Sequence, residues 1–183
     1  MSSTKEGHVV RLERFRPEHG KIVFRWFYDP AYRLFFRDFE DPLSLEQCKK
    51  FDKVMAGSGV GIFMIIEKSS DKPIGMVTHC CLKKKSGVNR IGIMLDKDFQ
   101  HKTYAIEALI ILLDYLYNRL GFKKIIVEYL ASDHHIQRIS EKGGWIREAV
   151  LKREAVVDGE YVDEVRYYMF KETYEELYGD YFK

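Results

Sequence analysis

Four polar residues, Gln100-His101-Lys102-Thr103, run straight into an apolar stretch that begins Tyr104-Ala105. A polar loop that opens a helix leaves the first-turn N–H groups without intrahelical partners, and the helix dipole makes that end positive. Such a point binds anions, so the chemistry suggested first is the holding of a phosphate-bearing cofactor by the loop at 100–105. A second group lies at 31–42, where Tyr32, Phe35, Phe36 and Phe39 alternate with Arg33, Arg37, Asp38, Glu40 and Asp41. It reads either as a loop pinned to the core by its aromatic side chains or as the mobile wall of a substrate site. The run Lys83-Lys84-Lys85 is a solvated turn tip or a contact to cofactor phosphate. Cys48, Cys80 and Cys81 have no metal-ligand spacing and no nearby His–Asp pattern to activate a nucleophile. Adjacent residues on a strand point to opposite faces, so Cys80 and Cys81 read as packing, and no metal site is expected.

The elements that would position these residues follow from periodicity. Alternation at 8–14 predicts a strand, and Ile22, Val23, Trp26 and Phe27 predict a helix over 20–28, closed by Asp29-Pro30. Ser44 with Gln47 forms a capping-box pattern, which predicts a second helix over 45–55. Residues 61–68 and 73–83 read as a hairpin around the turn 69–72, and 88–95 as the next strand. The helix that the polar loop opens is expected over 104–120. It is apolar nearly all round, as a helix covered on both sides would be, and Gly121 is its C-cap. A buried strand is expected at 123–130. Asp133 is expected to cap a helix through Lys142, and Asp158-Gly159 to turn a hairpin that returns over 160–170. A short amphipathic tail, 173–178, ends the chain. The order β α α β β β α β α β β implies a mixed sheet, with antiparallel strands leading into one right-handed parallel β-α-β crossover. Where a parallel pair meets antiparallel neighbours, strand ends can splay and open a cleft.

The 183 residues suggest one domain, and 46% hydrophobic residues suffice for a sizeable core. Thirty basic against 28 acidic residues, a net charge of +2, argue against a nucleic-acid partner. No uninterrupted apolar window is long enough for a membrane span. The polar start MSSTKEGH lacks a signal-peptide core, and three cysteines fit a reduced setting, so a cytoplasmic location is expected.

With these residues in view the chain resembles the GNAT-superfamily N-acetyltransferases, in the branch of the ribosomal-protein N-terminal acetyltransferases (RimJ/RimL-like). The resemblance covers Val10 to about Leu177. IGIMLDKDFQHKTYAIEAL is similar to the family's strand, pyrophosphate loop and helix, and LYNRLGFKKIIVEYL to the helix end and next strand. SDHHIQRISEKGGWIREAVLKREAVVDGEYVDE is similar to the Asn-started helix, Gly-aromatic step and hairpin, and RLERFRPEH with FRWFYDP to the N-terminal pattern. The resemblance implies an α/β fold, an α+β sandwich. It would have a single mixed, mostly antiparallel sheet of about seven strands and about four helices in one domain over 1–183.

It also implies acetyl-CoA as co-substrate and a primary amine as acceptor, attacked without an acyl-enzyme. Gln100, His101, Lys102, Thr103, Tyr104 and Ala105 would bind the pyrophosphate, with Gln100 and Ala105 matching the pattern Gln/Arg-x-x-Gly-x-Gly/Ala. Thr103 stands where the family has its central glycine, adding a β-branch and a hydroxyl that could bond phosphate or cap the helix. Asp133 takes the position of the family's pantetheine-contacting Asn. Ser140 takes that of the Tyr that protonates the departing thiolate. For Ser140 an ordinary helix-surface serine is the competing reading. Backbone N–H groups of Ile93, Met94 and Leu95 would polarise the thioester carbonyl. Glu128 and His79 are the candidate bases, each open also to a purely structural role. Phe35, Phe36 and Asp38 would face the acceptor, a small-molecule amine or a protein N-terminus. A homodimer is the assembly that similar proteins suggest. Thr103, Asp133 and Ser140, all departures at positions the chemistry uses, support a reading of another class: a catalytically silent GNAT-fold module that binds a partner or ligand.

Overall fold

The computed structural model describes residues 6–37, 39, 41–100 and 103–182. Seven strands form one sheet in the order β1-β2-β3-β4-β5-β7-β6. They are β1 Val10–Arg14, β2 Val60–Glu67, β3 Lys72–Lys83, β4 Val88–Leu95, β5 Lys124–Leu130, β6 Ile146–Val157 and β7 Glu160–Phe170. The helices are α1 Gly20–Tyr28, α2 Leu45–Cys48, α3 Phe51–Gly57, α4 Tyr104–Asp114, α5 His134–Lys142 and α6 Lys171–Tyr178. The expected mixed sheet is present. β4 and β5 run parallel from Val88↔Lys124 to Arg90↔Ile126, and β1–β2, β2–β3, β5–β7 and β6–β7 are antiparallel.

By contact the chain separates into two compact units, Met1–Cys80 with Gly92–Arg119, and Cys81–Ile91 with Leu120–Lys183. In the first, side chains on the two sheet faces sort by the period-2 pleat. Ile62, Met64, Met76 and Met94 join Val23, Trp26, Phe36 and Phe51 in one apolar cluster, beneath α1, α3 and the 31–42 loop. Phe63 and His79 face the other way and meet Tyr115 at the end of α4. Buried Glu107, in the first turn of α4, accepts the N–H groups of His8, Val9 and Val10 at 2.6, 2.8 and 2.7 Å, tying the chain's first strand to that helix.

Two helices differ from their expected form. The helix expected over 45–55 keeps its Ser44–Gln47 capping box but breaks after Cys48, where Lys50 leaves the helical region (φ −116°, ψ 27°). Gly20 of α1 lies so close here that a Cβ on it would stand 2.6 Å from Lys49 Cα. The helix expected over 104–120 is α-helical only to Asp114 and continues as a π-helical turn, Tyr115–Arg119. That turn carries Tyr115 onto Phe63 and His79.

In the second unit α5 lies on the face of β5 and β7 that carries Tyr129 and Tyr167. Asp158 and Gly159 both have positive φ (54° and 83°), the backbone of a two-residue I′ hairpin turn. β6 is bulged beside β7, with Arg153 at φ 56° and its N–H donated to Asp163 Oδ1 at 3.0 Å.

Candidate functional site

In the first unit β4 ends at Leu95, and Asp96 caps a single 3-10 turn, Lys97–Phe99, accepting the Asp98 N–H at 3.3 Å. Only 4% exposed, the same carboxylate gathers the Trp26 indole N–H at 2.9 Å, the Tyr32 hydroxyl at 3.3 Å and the Arg25 guanidinium. Tyr32 Oη in turn accepts the Lys97 N–H at 2.8 Å. Burial alone would raise the Asp96 carboxyl, but these donors outweigh it and hold it below its ordinary range. One buried charge thus fixes both α1 with its following turn and the start of the polar loop. Gln100 donates its side-chain amide to the Leu95 carbonyl at 3.1 Å, fastening the loop to the strand end.

Thr103 enters α4 at φ −69° and ψ −7°, and its carbonyl accepts the Glu107 N–H at 3.0 Å. This is ordinary right-handed backbone that any residue adopts, so threonine in place of glycine adds no strain. Its hydroxyl does not cap the helix. Thr103 is exposed and Ile106 is 51% exposed, and the helix start has no side-chain cap at Thr103. Such an end fits an anionic group. Tyr104 turns aside to bond Glu67, with its ring against Phe99. His101 and Lys102, expected at the pyrophosphate, lie outside the described residues.

On the opposite sheet face the aromatic segment divides its roles. Phe36 is 4% exposed and packs with Phe27, Phe39 and Phe51, as the pinned-loop reading requires. Half-buried Phe35 instead reaches β4. A Cβ on Gly92 would stand 3.7 Å from its Cε2 and 2.8 Å from Thr78 Oγ1. Beside this segment lies a cavity of about 260 Å³ lined by Phe27, Phe36, Phe39, Arg33, Arg37 and Asp41 among others. Asp38, expected at the acceptor, and Glu40 lie outside the described residues. His79 is stacked on Phe63 on the α4 face, and burial lowers its pKa, keeping the ring neutral.

The second unit holds the remaining expected residues. Asp133 caps α5, its Oδ1 accepting the Ile136 N–H at 3.1 Å. Ser140 is not a helix-surface serine: it is 5% exposed, with Oγ 3.1 Å from Tyr129 Oη. Burial pushes the Tyr129 phenol up to about 12, against a lowering by Ser140. Glu128 is held on Oε1 by Arg166, from Nε at 2.8 Å and Nη2 at 2.6 Å, and on Oε2 by Arg90 at 3.3 Å. Tyr129 was not singled out in the sequence, because no local spacing rule relates a strand residue to one on the following helix. Among the described residues no His, Cys, Asp and Glu group could hold a metal ion.

Residues 10–146 match the family described as the acetyltransferase (GNAT) domain. The chain belongs to the GNAT acetyltransferase family. Solved structures with the same fold include a GCN5-related N-acetyltransferase from Brucella melitensis, with a TM-score of 0.80 and 24% identity over 99% of this chain and 84% of that one. An acetyltransferase of the GNAT family from Bacillus anthracis gives a TM-score of 0.78 and 20% identity over 93% and 99%. A spermidine N-acetyltransferase chimera from Vibrio cholerae and hSSAT gives 0.77 and 18% over 90% and 97%. No curated protein matches the sequence. GNAT domains generally use acetyl-CoA.

Proposed function

We propose that this GNAT chain transfers an acetyl group from acetyl-CoA to a primary amine by direct attack, in the cytoplasm. The observation that carries the reading is the start of α4: an exposed Thr103 that makes no side-chain cap, behind a loop start anchored by Asp96 and Gln100. Donors from 103–105, with Gln100, His101 and Lys102 ahead of them, would hold the pyrophosphate. Acetyl-CoA brings the activated thioester, and the remaining work belongs to this chain's residues. Backbone N–H groups of Ile93 to Leu95 polarise the acyl carbonyl. Asp133 contacts the pantetheine arm, and Ser140 protonates the sulfur that leaves.

Glu128 or His79 would take the proton from the amine, by way of water. Both oxygens of Glu128 are engaged by guanidinium groups, and burial keeps the His79 ring neutral. Phe35, Phe36 and Asp38 border the acceptor. Acceptor classes are a small polyamine, an aminoglycoside or amino sugar, and a protein N-terminus of the RimJ/RimL-like kind. The fold shared with a spermidine N-acetyltransferase makes spermidine the first amine to try.

A thiol-release assay with acetyl-CoA over these amines is expected to give turnover with at least one, and Thr103→Gly is expected to change the affinity for acetyl-CoA. Silence across the panel, with acetyl-CoA still bound, would favour the ligand-binding module without catalysis. Homodimer formation is the expected assembly, checked by sedimentation.

A further inference from the structure

Beneath the 31–42 segment the apolar packing of the first unit gives way at one row of the sheet. Met64 of β2 pairs with Met76 of β3, and both join Met94 of β4 in the apolar cluster. Two residues along each strand the pleat returns to the same face, which gives the row Ile62, Thr78 and Gly92. Ile62 is still buried in the cluster, but Thr78 and Gly92 are only half-buried. No hydrogen bond engages the Thr78 hydroxyl among the described residues.

Gly92 is the unusual member of that row. A glycine inside a strand weakens it, and the usual reasons for one are a positive φ or the close approach of other atoms. Gly92 does not have a positive φ. Approach explains Gly75 of β3 and Gly61 of β2, where a Cβ would strike the Met94 carbonyl and the His79 ring respectively. At Gly92 a Cβ would meet two atoms of the described residues within 4 Å, Thr78 Oγ1 at 2.8 Å and Phe35 Cε2 at 3.7 Å. The second is ordinary contact, and the first is the rotatable end of a side chain, so these neighbours do not require a glycine. What Gly92 leaves is bare strand backbone flanked by a hydroxyl and an aromatic edge, one residue before Ile93.

Resting on the acetyl-transfer reading above, we propose that Thr78 is a specificity-determining residue for the acceptor, holding its amine over the bare backbone of Gly92. Thr78 Oγ1 accepts one N–H of the neutral amine, which leaves the nitrogen lone pair for the acyl carbon. Phe35 packs against the carbon that bears the nitrogen. A hydroxyl and a ring that both reach within 4 Å of one point leave room between them for an unbranched group. The acceptor class is therefore an amine on an unbranched carbon, as in a polyamine or a peptide beginning with glycine. An amine on a branched carbon, as in an amino sugar or a peptide beginning with alanine, fits less well.

The test measures kcat/KM by thiol release with acetyl-CoA and four amines. Spermidine and a glycyl peptide are unbranched beside the nitrogen, and glucosamine and an alanyl peptide are branched there. Wild type is expected to favour the better unbranched amine over either branched one by roughly tenfold. Thr78→Val keeps the shape of the side chain and removes the hydroxyl. It is expected to lower kcat/KM for that amine roughly tenfold, mostly through KM, while calorimetry gives the wild-type affinity for acetyl-CoA. Thr78→Ser, which retains the hydroxyl, is expected to recover most of the loss. Gly92→Ala covers the bare backbone and is expected to cost the amine a similar factor with acetyl-CoA binding kept. Circular dichroism checks the folding of each variant, and should Gly92→Ala not fold, the two Thr78 variants decide. A preference for the branched amines, or wild-type kinetics in Thr78→Val, would overturn the proposal, as would a fall in acetyl-CoA affinity that matches the fall in rate. Wild type that binds acetyl-CoA and turns over no amine overturns the acetyl-transfer reading itself, a different result from turnover that ignores Thr78.

Discussion

Thr103 is where the sequence departs most visibly from the family's loop, and its backbone is what makes the departure tolerable. A glycine matters where φ is positive or where a side chain would collide, and Thr103 has φ −69° and an exposed side chain. Charge at this residue should matter more than shape. Thr103→Glu places an anion beside the α4 donors and is expected to weaken acetyl-CoA binding roughly tenfold, read by calorimetry. Asp96 gives a pH-dependent test. Its folded-state pKa lies below the ordinary 3.8, so its contribution is present above that value and lost as pH falls through the folded one. The melting temperature of Asp96→Asn is therefore expected to fall less steeply than that of wild type between about pH 4 and pH 2. Glu107 lies in the first turn of α4, where a carboxylate suits the helix dipole. Its three backbone donors, almost a hundred positions away, were not legible in the sequence, because nothing local links residue 107 to residues 8–10. Glu107→Ala strands those donors and is expected to cost about 3 kcal/mol in urea unfolding.

At the scale of elements, wherever a strong local signal existed the periodicity carried the assignment. Strands at 88–95 and 160–170, the helix at 20–28 and the Asp158-Gly159 turn have their expected bounds. The misses lie where tertiary contact overrides helix pattern. The break after Cys48 accompanies a backbone approach by Gly20, and the π-helical turn after Asp114 accompanies the packing of Tyr115. Close approach also explains Gly61, where a Cβ would stand 2.3 Å from His79 Nε2, a contact invisible until β2 and β3 are paired in register. Asn89 on β4 is fully buried, and its side-chain amide has no hydrogen-bond partner among the described residues. A buried amide left unbonded destabilises, so Asn89→Leu, which keeps the branched outline of the side chain, is expected to raise stability by about 1 kcal/mol in the same urea assay. An unchanged or lower value would mean that the amide is satisfied in solution.

For the whole molecule, the sheet order, the parallel β4–β5 pair among antiparallel neighbours and the match over residues 10–146 agree on one family. That much was legible in the sequence because the strand–loop–helix signal and the hairpin signal are local and strong. The acceptor was not legible: side chains far apart in sequence, as Phe35 and Thr78 are, converge beside Gly92 only once the sheet is built. Among the described residues no helix is long and apolar enough to cross a membrane. Titration calorimetry of the wild-type chain with acetyl-CoA decides whether the loop entering α4 holds the pyrophosphate, as proposed. The expected result is saturable binding with one site per chain, weakened in Thr103→Glu. No heat of binding at millimolar acetyl-CoA, or affinity untouched by Thr103→Glu, would contradict it.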